Sequence, residues 1–140
     1  MVDLPDKHRL LRNMNCCINQ EERYLYLIEL GAKLPPAANT LHQTKNLVAG
    51  CQSLVWIEMY LQSDDIVVIE GDSDAALVKG LIAVVIILYR GLSAQEIFQF
   101  DTASWFEKLA LTRHLTTSRT QGLAAMIKTI RARSLALAPQ

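Results

Sequence analysis

Apolar residues change their spacing three times along this chain, and each spacing predicts a different kind of element. Leu10, Leu11 and Met14 recur at the three-to-four-residue interval of a helix, and Pro5-Asp6 ahead of them is a helix start, so a first helix is expected through about Met14. Asn19 reads as the N-cap of a second. Glu21 and Glu22 suit its positive end, Tyr24, Leu27 and Ile28 form its apolar face, and Gly31 with Pro35-Pro36 marks where it stops. From Leu54 the interval falls to two. Val55, Ile57, Met59 and Leu61 then share one face of a strand, and Trp56, Glu58 and Tyr60 share the other. Gln62-Ser63-Asp64-Asp65 is a turn, and the β-branched run Ile66-Val67-Val68-Ile69 completes an antiparallel hairpin ending at Gly71.

Asp72-Ser73-Asp74 supplies caps for a helix from near Ala75 to about Tyr89. Its apolar second half would also suit a strand, but its length and its cap favour a buried central helix. Gly91 closes it. Ser93-Ala94-Gln95-Glu96 has the form of a capping box opening a short helix through Phe98, and another short helix covers Ser104 to Ala110. The last helix starts around Thr116-Thr117-Ser118 and carries Leu123, Met126, Ile127 and Ile130, with Lys128, Arg131 and Arg133 toward its negative end. Strands and helices are segregated along the chain. The expected fold is therefore α+β: a small antiparallel sheet packed against several helices, in a single compact domain over residues 1–140.

A chain of 140 residues is the size of one ordinary domain. Fourteen basic residues balance fourteen acidic ones, which argues against nucleic acid as a partner. The N-terminus lacks an apolar signal core, and the longest apolar run, Gly80 to Tyr89, is half of the ~20 residues a membrane span needs, so no membrane association is expected. Three cysteines, two of them the neighbours Cys16-Cys17, make a poor disulfide framework and fit a reduced, cytoplasmic setting.

Candidate chemistry gathers at Gly50-Cys51-Gln52-Ser53. Residues 35–46 are rich in Pro, Asn and Thr and read as a surface loop delivering the chain to this thiol, and Gly50 permits a tight or left-handed turn just before it. The whole stretch Lys45-Asn46-Leu47-Val48-Ala49-Gly50-Cys51-Gln52-Ser53-Leu54-Val55-Trp56 resembles the cysteine loop of the SufE family. So do Gly71-Asp72-Ser73-Asp74-Ala75 with Val78-Lys79-Gly80-Leu81-Ile82-Ala83-Val84, then Trp105-Phe106-Glu107-Lys108, and finally the Ser118-Arg119-x-x-Gly122 block. The Gly-Cys-Gln-Ser form is closer to SufE itself than to the CsdE branch. Cys16 and Cys17 lie outside these blocks and read as ordinary helix residues.

The resemblance implies a SufE/IscU-like fold and a sulfur carrier that is not itself an enzyme. A SufS-like cysteine desulfurase would pass persulfide sulfur to Cys51, and Cys51 would pass it on to a downstream iron–sulfur scaffold complex. No cofactor or metal of its own is implied, because pyridoxal phosphate belongs to the desulfurase. A homodimer is the association state the family points to. Leu47, Val48 and Trp56 are expected to shelter the persulfide, with Gly50, Gln52 and Ser53 supporting the loop. A tucked thiol has a raised pKa and stays quiet until the partner docks. Arg119 is expected near the loop or in docking, and Asp74 is expected as a helix cap first and a modulator of the loop second.

Other classes are weaker on the residues alone. A cluster scaffold needs several cysteine ligands, and only Cys51 lies in a loop. A thiol peroxidase or cysteine hydrolase needs a resolving cysteine or a committed base. His42, nine residues before Cys51, is a weak candidate for that base, and His8 and His114 read as surface residues. The remaining alternative is a non-catalytic module that binds a desulfurase and carries a structural Cys51.

Overall fold

Asp6 and Asn19 open the first two helices by the same device, each side chain accepting a hydrogen bond from the backbone N–H three residues on, at Arg9 and Glu22. The computed structural model describes residues 4–62 and 65–138. Helix α1 spans Lys7–Cys16 and α2 spans Gln20–Ala32, followed by a 3-10 turn at Thr44–Asn46. Strands β1 (Val55–Leu61) and β2 (Val67–Ser73) pair antiparallel, from Val55 opposite Ser73 to Leu61 opposite Val67. The helices α3 (Ala76–Tyr89), α4 (Ala94–Gln99), α5 (Thr102–Lys108), α6 (Leu111–His114) and α7 (Thr117–Leu137) follow.

Helix α3 is the centre of the molecule, as its unbroken apolar run requires. Leu81, Ile82, Ala83, Val84, Val85 and Leu88 are all buried, and the helix packs against α2, β2 and α7. Its contact with α2 is backbone against backbone. A Cβ added at Gly31 would lie 2.6 Å from the Gly80 amide nitrogen, and one added at Gly80 would meet the Leu27 carbonyl. Gly31 was expected to end α2. It is instead a buried helical residue, and the helix closes one residue later, with Lys33 as its C-cap.

The other departures are also local. Helix α1 runs past Met14 to Cys16, whose side chain is exposed, and Cys17 is its C-cap. Strand β2 continues through Gly71 to Ser73 because Val55 and Trp56 extend the ladder to Ser73 and Asp72. The expected cap at 72–74 is not used as a cap. The residue ahead of α3 is Ala75, with no side-chain cap bond, because Ser73 Oγ accepts from the Ala75 amide itself and Asp74 turns toward Leu54. The expected turn at 62–65 includes residues 63 and 64, which lie outside the described residues. The Ser93 capping box forms as read, and α4 then runs to Gln99. Asp101 starts α5 two residues earlier than expected, and Ala110, in the left-handed region with φ 57°, separates it from the unexpected α6. Helix α7 passes Arg133 and ends at Leu137.

Candidate functional site

The cysteine loop is built against β1 and along α7. Leu47 bridges to Trp56 and the Val48 amide donates to the Val55 carbonyl at 2.9 Å, so the segment before the loop runs antiparallel beside the edge of β1 that β2 leaves free. The chain then turns at Gly50, whose φ of 89° suits glycine. On the far side, Asp74 Oδ1 accepts from the Leu54 amide at 3.0 Å. Residues 49–53 are therefore a short arch fastened at both ends, and Cys51 sits on it.

Cys51 is half-buried. Its Sγ donates to the Gly122 carbonyl of α7 at 3.5 Å. Burial pushes the thiol pKa up, and a proton held on a carbonyl acts in the same direction by favouring the neutral form. The thiol opens into a cleft of about 370 Å³ lined by Gln52 and Ser53 from the loop, Ala75, Val78 and Leu81 at the start of α3, and Arg119, Gly122 and Met126 from α7. A Cβ on Gly122 would lie 3.7 Å from Sγ, so glycine here leaves free space directly beside the sulfur. Thr116 caps α7 by accepting from the Arg119 amide, which places the Arg119 side chain on the cleft wall.

Gln52, Ser53 and Arg119 thus share the cleft with Cys51, and Gly50 forms the turn before it. The expected shelter of Leu47, Val48 and Trp56 does not line the cleft. Val48 is buried in the core at the root of the loop, and Leu47 is 37% exposed. Strand alternation sends Trp56 to the opposite face of the sheet, where its ring lies 4.2 Å from that of His42. His42 does not line the cleft either. Its Nε2 lies 2.6 Å from Asp72 Oδ2, and Lys79 Nζ stands 3.5 Å from the other oxygen of the same carboxylate. Burial would raise the Asp72 pKa, but the hydrogen bonds from His42 and the Ser73 backbone, together with the Lys79 charge, hold it below the usual value.

The walls that do enclose the thiol, Ala75, Val78, Leu81 and Met126, read in sequence as plain helix positions. Gly122 was the available signal, since a glycine inside a helix costs about 1 kcal/mol and asks for a reason. Among the described residues no group of His, Cys, Asp and Glu is placed to hold a metal ion. No helix among them is long and apolar enough to cross a membrane.

The family profile described as "SufE: Fe-S metabolism associated domain" matches residues 8–134. Among solved structures, the solution structure of a hypothetical protein from Thermus thermophilus aligns with a TM-score of 0.75, covering 96% of this chain and 97% of that one at 20% identity. That likeness is one of fold.

Proposed function

Because the chain belongs to the SufE family, we propose that it accepts persulfide sulfur on Cys51 from a pyridoxal-phosphate-dependent, SufS-like cysteine desulfurase and hands it on for iron–sulfur cluster assembly. The observation that carries this reading is the thiol itself, set on an arch pinned at both ends and facing a cleft with free volume beside the sulfur.

The step is a thiol–disulfide-type exchange. Cys51 loses its proton to solvent or to a basic group of the partner, and its thiolate attacks the outer sulfur of the desulfurase persulfide. A new sulfur–sulfur bond forms on Cys51, the desulfurase sulfur–sulfur bond breaks, and the desulfurase cysteine leaves as a thiolate. No electrons are gained or lost overall. The protein carries sulfur without needing a cofactor of its own, since pyridoxal phosphate acts in the partner. In the resting state the half-buried thiol, its pKa raised, is a poorer nucleophile than a free one, and a docked complex that draws Cys51 away from the Gly122 carbonyl favours reaction.

The rival reading, a binding module with a structural Cys51, is separated by one variant. Cys51→Ser is expected to abolish stimulation of a cysteine desulfurase in a sulfide-release assay while leaving binding to it intact. Full stimulation by Cys51→Ser would leave the binding module as the correct reading.

A further inference from the structure

Helix α7 faces the cysteine loop along one stripe. Arg119, Gly122 and Met126 lie on the cleft wall, and Arg133, two turns beyond Met126, reaches the root of the loop. Its guanidinium donates to three carbonyls: Ile57 on the free edge of β1, Lys45 at 3.4 Å and Leu47 at 3.5 Å. Among the described residues no carboxylate is within ion-pair distance of it. A half-buried arginine whose three hydrogen bonds all go to backbone oxygens works as a staple between segments rather than as half of an ion pair.

The staple sits where the backbone ladder is thinnest. One hydrogen bond, from the Val48 amide to the Val55 carbonyl, joins the segment at 47–48 to β1, and the Lys45 and Leu47 carbonyls flank it. Leu47 is four residues from Cys51, a reach of about 13 Å of extended chain. Wherever Leu47 is held, the Cys51 backbone must lie within about that radius. The opposite end of the arch is fixed separately at Leu54 by Asp74.

We propose that Arg133 is a positioning residue for Cys51: by joining Lys45 and Leu47 to Ile57 it fixes the root of the loop so that the thiol rests against Gly122, and without it the thiol leaves the cleft in the absence of any partner. This rests on the reading of Cys51 as the sulfur acceptor, for which resting shelter matters. The guanidinium is suited to the task because its planar fork can serve several carbonyls at once, which an ammonium on a flexible stem does less well.

The test is iodoacetamide alkylation of the isolated full-length chain, with the peptides carrying Cys51, Cys16 and Cys17 quantified separately by mass spectrometry. Arg133→Met is expected to speed alkylation of Cys51 roughly tenfold, the scale of freeing a group held by one or two hydrogen bonds. Arg133→Lys, which keeps the charge and some of the donors, is expected to fall between Met and wild type. Exposed Cys16, the last residue of α1, and half-buried Cys17, its C-cap, report whether the whole fold has loosened, and both are expected to keep their wild-type rates. A Cys51 rate within twofold of wild type in Arg133→Met overturns the proposal, as does parallel acceleration of Cys17. If Arg133→Met does not fold, Arg133→Lys decides alone, and an unchanged Cys51 rate overturns the proposal. No desulfurase enters this experiment, so its outcome is independent of whether Cys51 accepts sulfur.

Discussion

At the scale of single residues, the chemistry turns on how Cys51 is protonated. Burial raises its pKa, so its alkylation rate is expected to reach half-maximum at a higher pH than that of a free thiol, with glutathione in the same solution as the comparison. The same shift acts on stability. A folded-state pKa above the unfolded one favours the protonated native state, so the contribution is complete below the unfolded thiol pKa and is lost as pH rises through the folded value. Replacing Cys51 by Ser should therefore flatten the alkaline limb of a denaturant-melt profile. A Cys51 profile that superimposes on that of glutathione would mean the thiol is not sheltered. Cys51 stood out in sequence as the candidate residue because its glycine, its loop and its neighbouring blocks are local. Its shelter was not, because the Gly122 carbonyl lies 71 residues away and nothing at Val78, Leu81 or Met126 distinguishes a cleft wall from ordinary core.

At the scale of elements, glycine was the residue most easily misread. Gly31 looked like punctuation at the end of a helix and proved to be the crossing point of α2 on α3, where the two backbones touch. Sequence marks a break in side-chain pattern but not whether the missing side chain makes room for a turn or for another helix. Gly80→Ala is therefore expected to destabilise the fold by more than ~2 kcal/mol in urea unfolding, despite alanine's better helix propensity, because its Cβ meets the Leu27 backbone rather than a movable side-chain end. A neutral or stabilising result would show that the helices are not in such close contact. Arg133 teaches the same lesson for charge. Its place near the end of a helix suggested an interaction with the dipole, yet α7 runs on to Leu137 and the guanidinium serves carbonyls of another segment. Asp74, expected as a cap for α3, is likewise spent on the Leu54 amide, and the loop gains what the helix start forgoes.

At the scale of the whole molecule, the α+β order was legible because each segment has one dominant period. Apolar residues at helical spacing gave α1 and α2, alternation gave β1, and the long run from Leu81 to Leu88, which a strand would also have suited, was read from its length and cap as the buried helix that α3 proves to be. That buried helix carries the sheet and α2, while α7 runs along the free edge of β1 and gives the thiol its resting partner. With no net charge, the chain offers little long-range electrostatic steering, and apolar Leu54 stands 49% exposed beside the arch.

The central claim is that sulfur lands on Cys51, and the mass of the intact protein reads this most directly after incubation with a cysteine desulfurase, pyridoxal phosphate and cysteine. The wild type is expected to gain about one sulfur atom, ~32 Da, removable by a thiol reductant, and Cys51→Ser is expected to gain none. No gain in the wild type, or a gain carried by Cys16 or Cys17, would contradict the account.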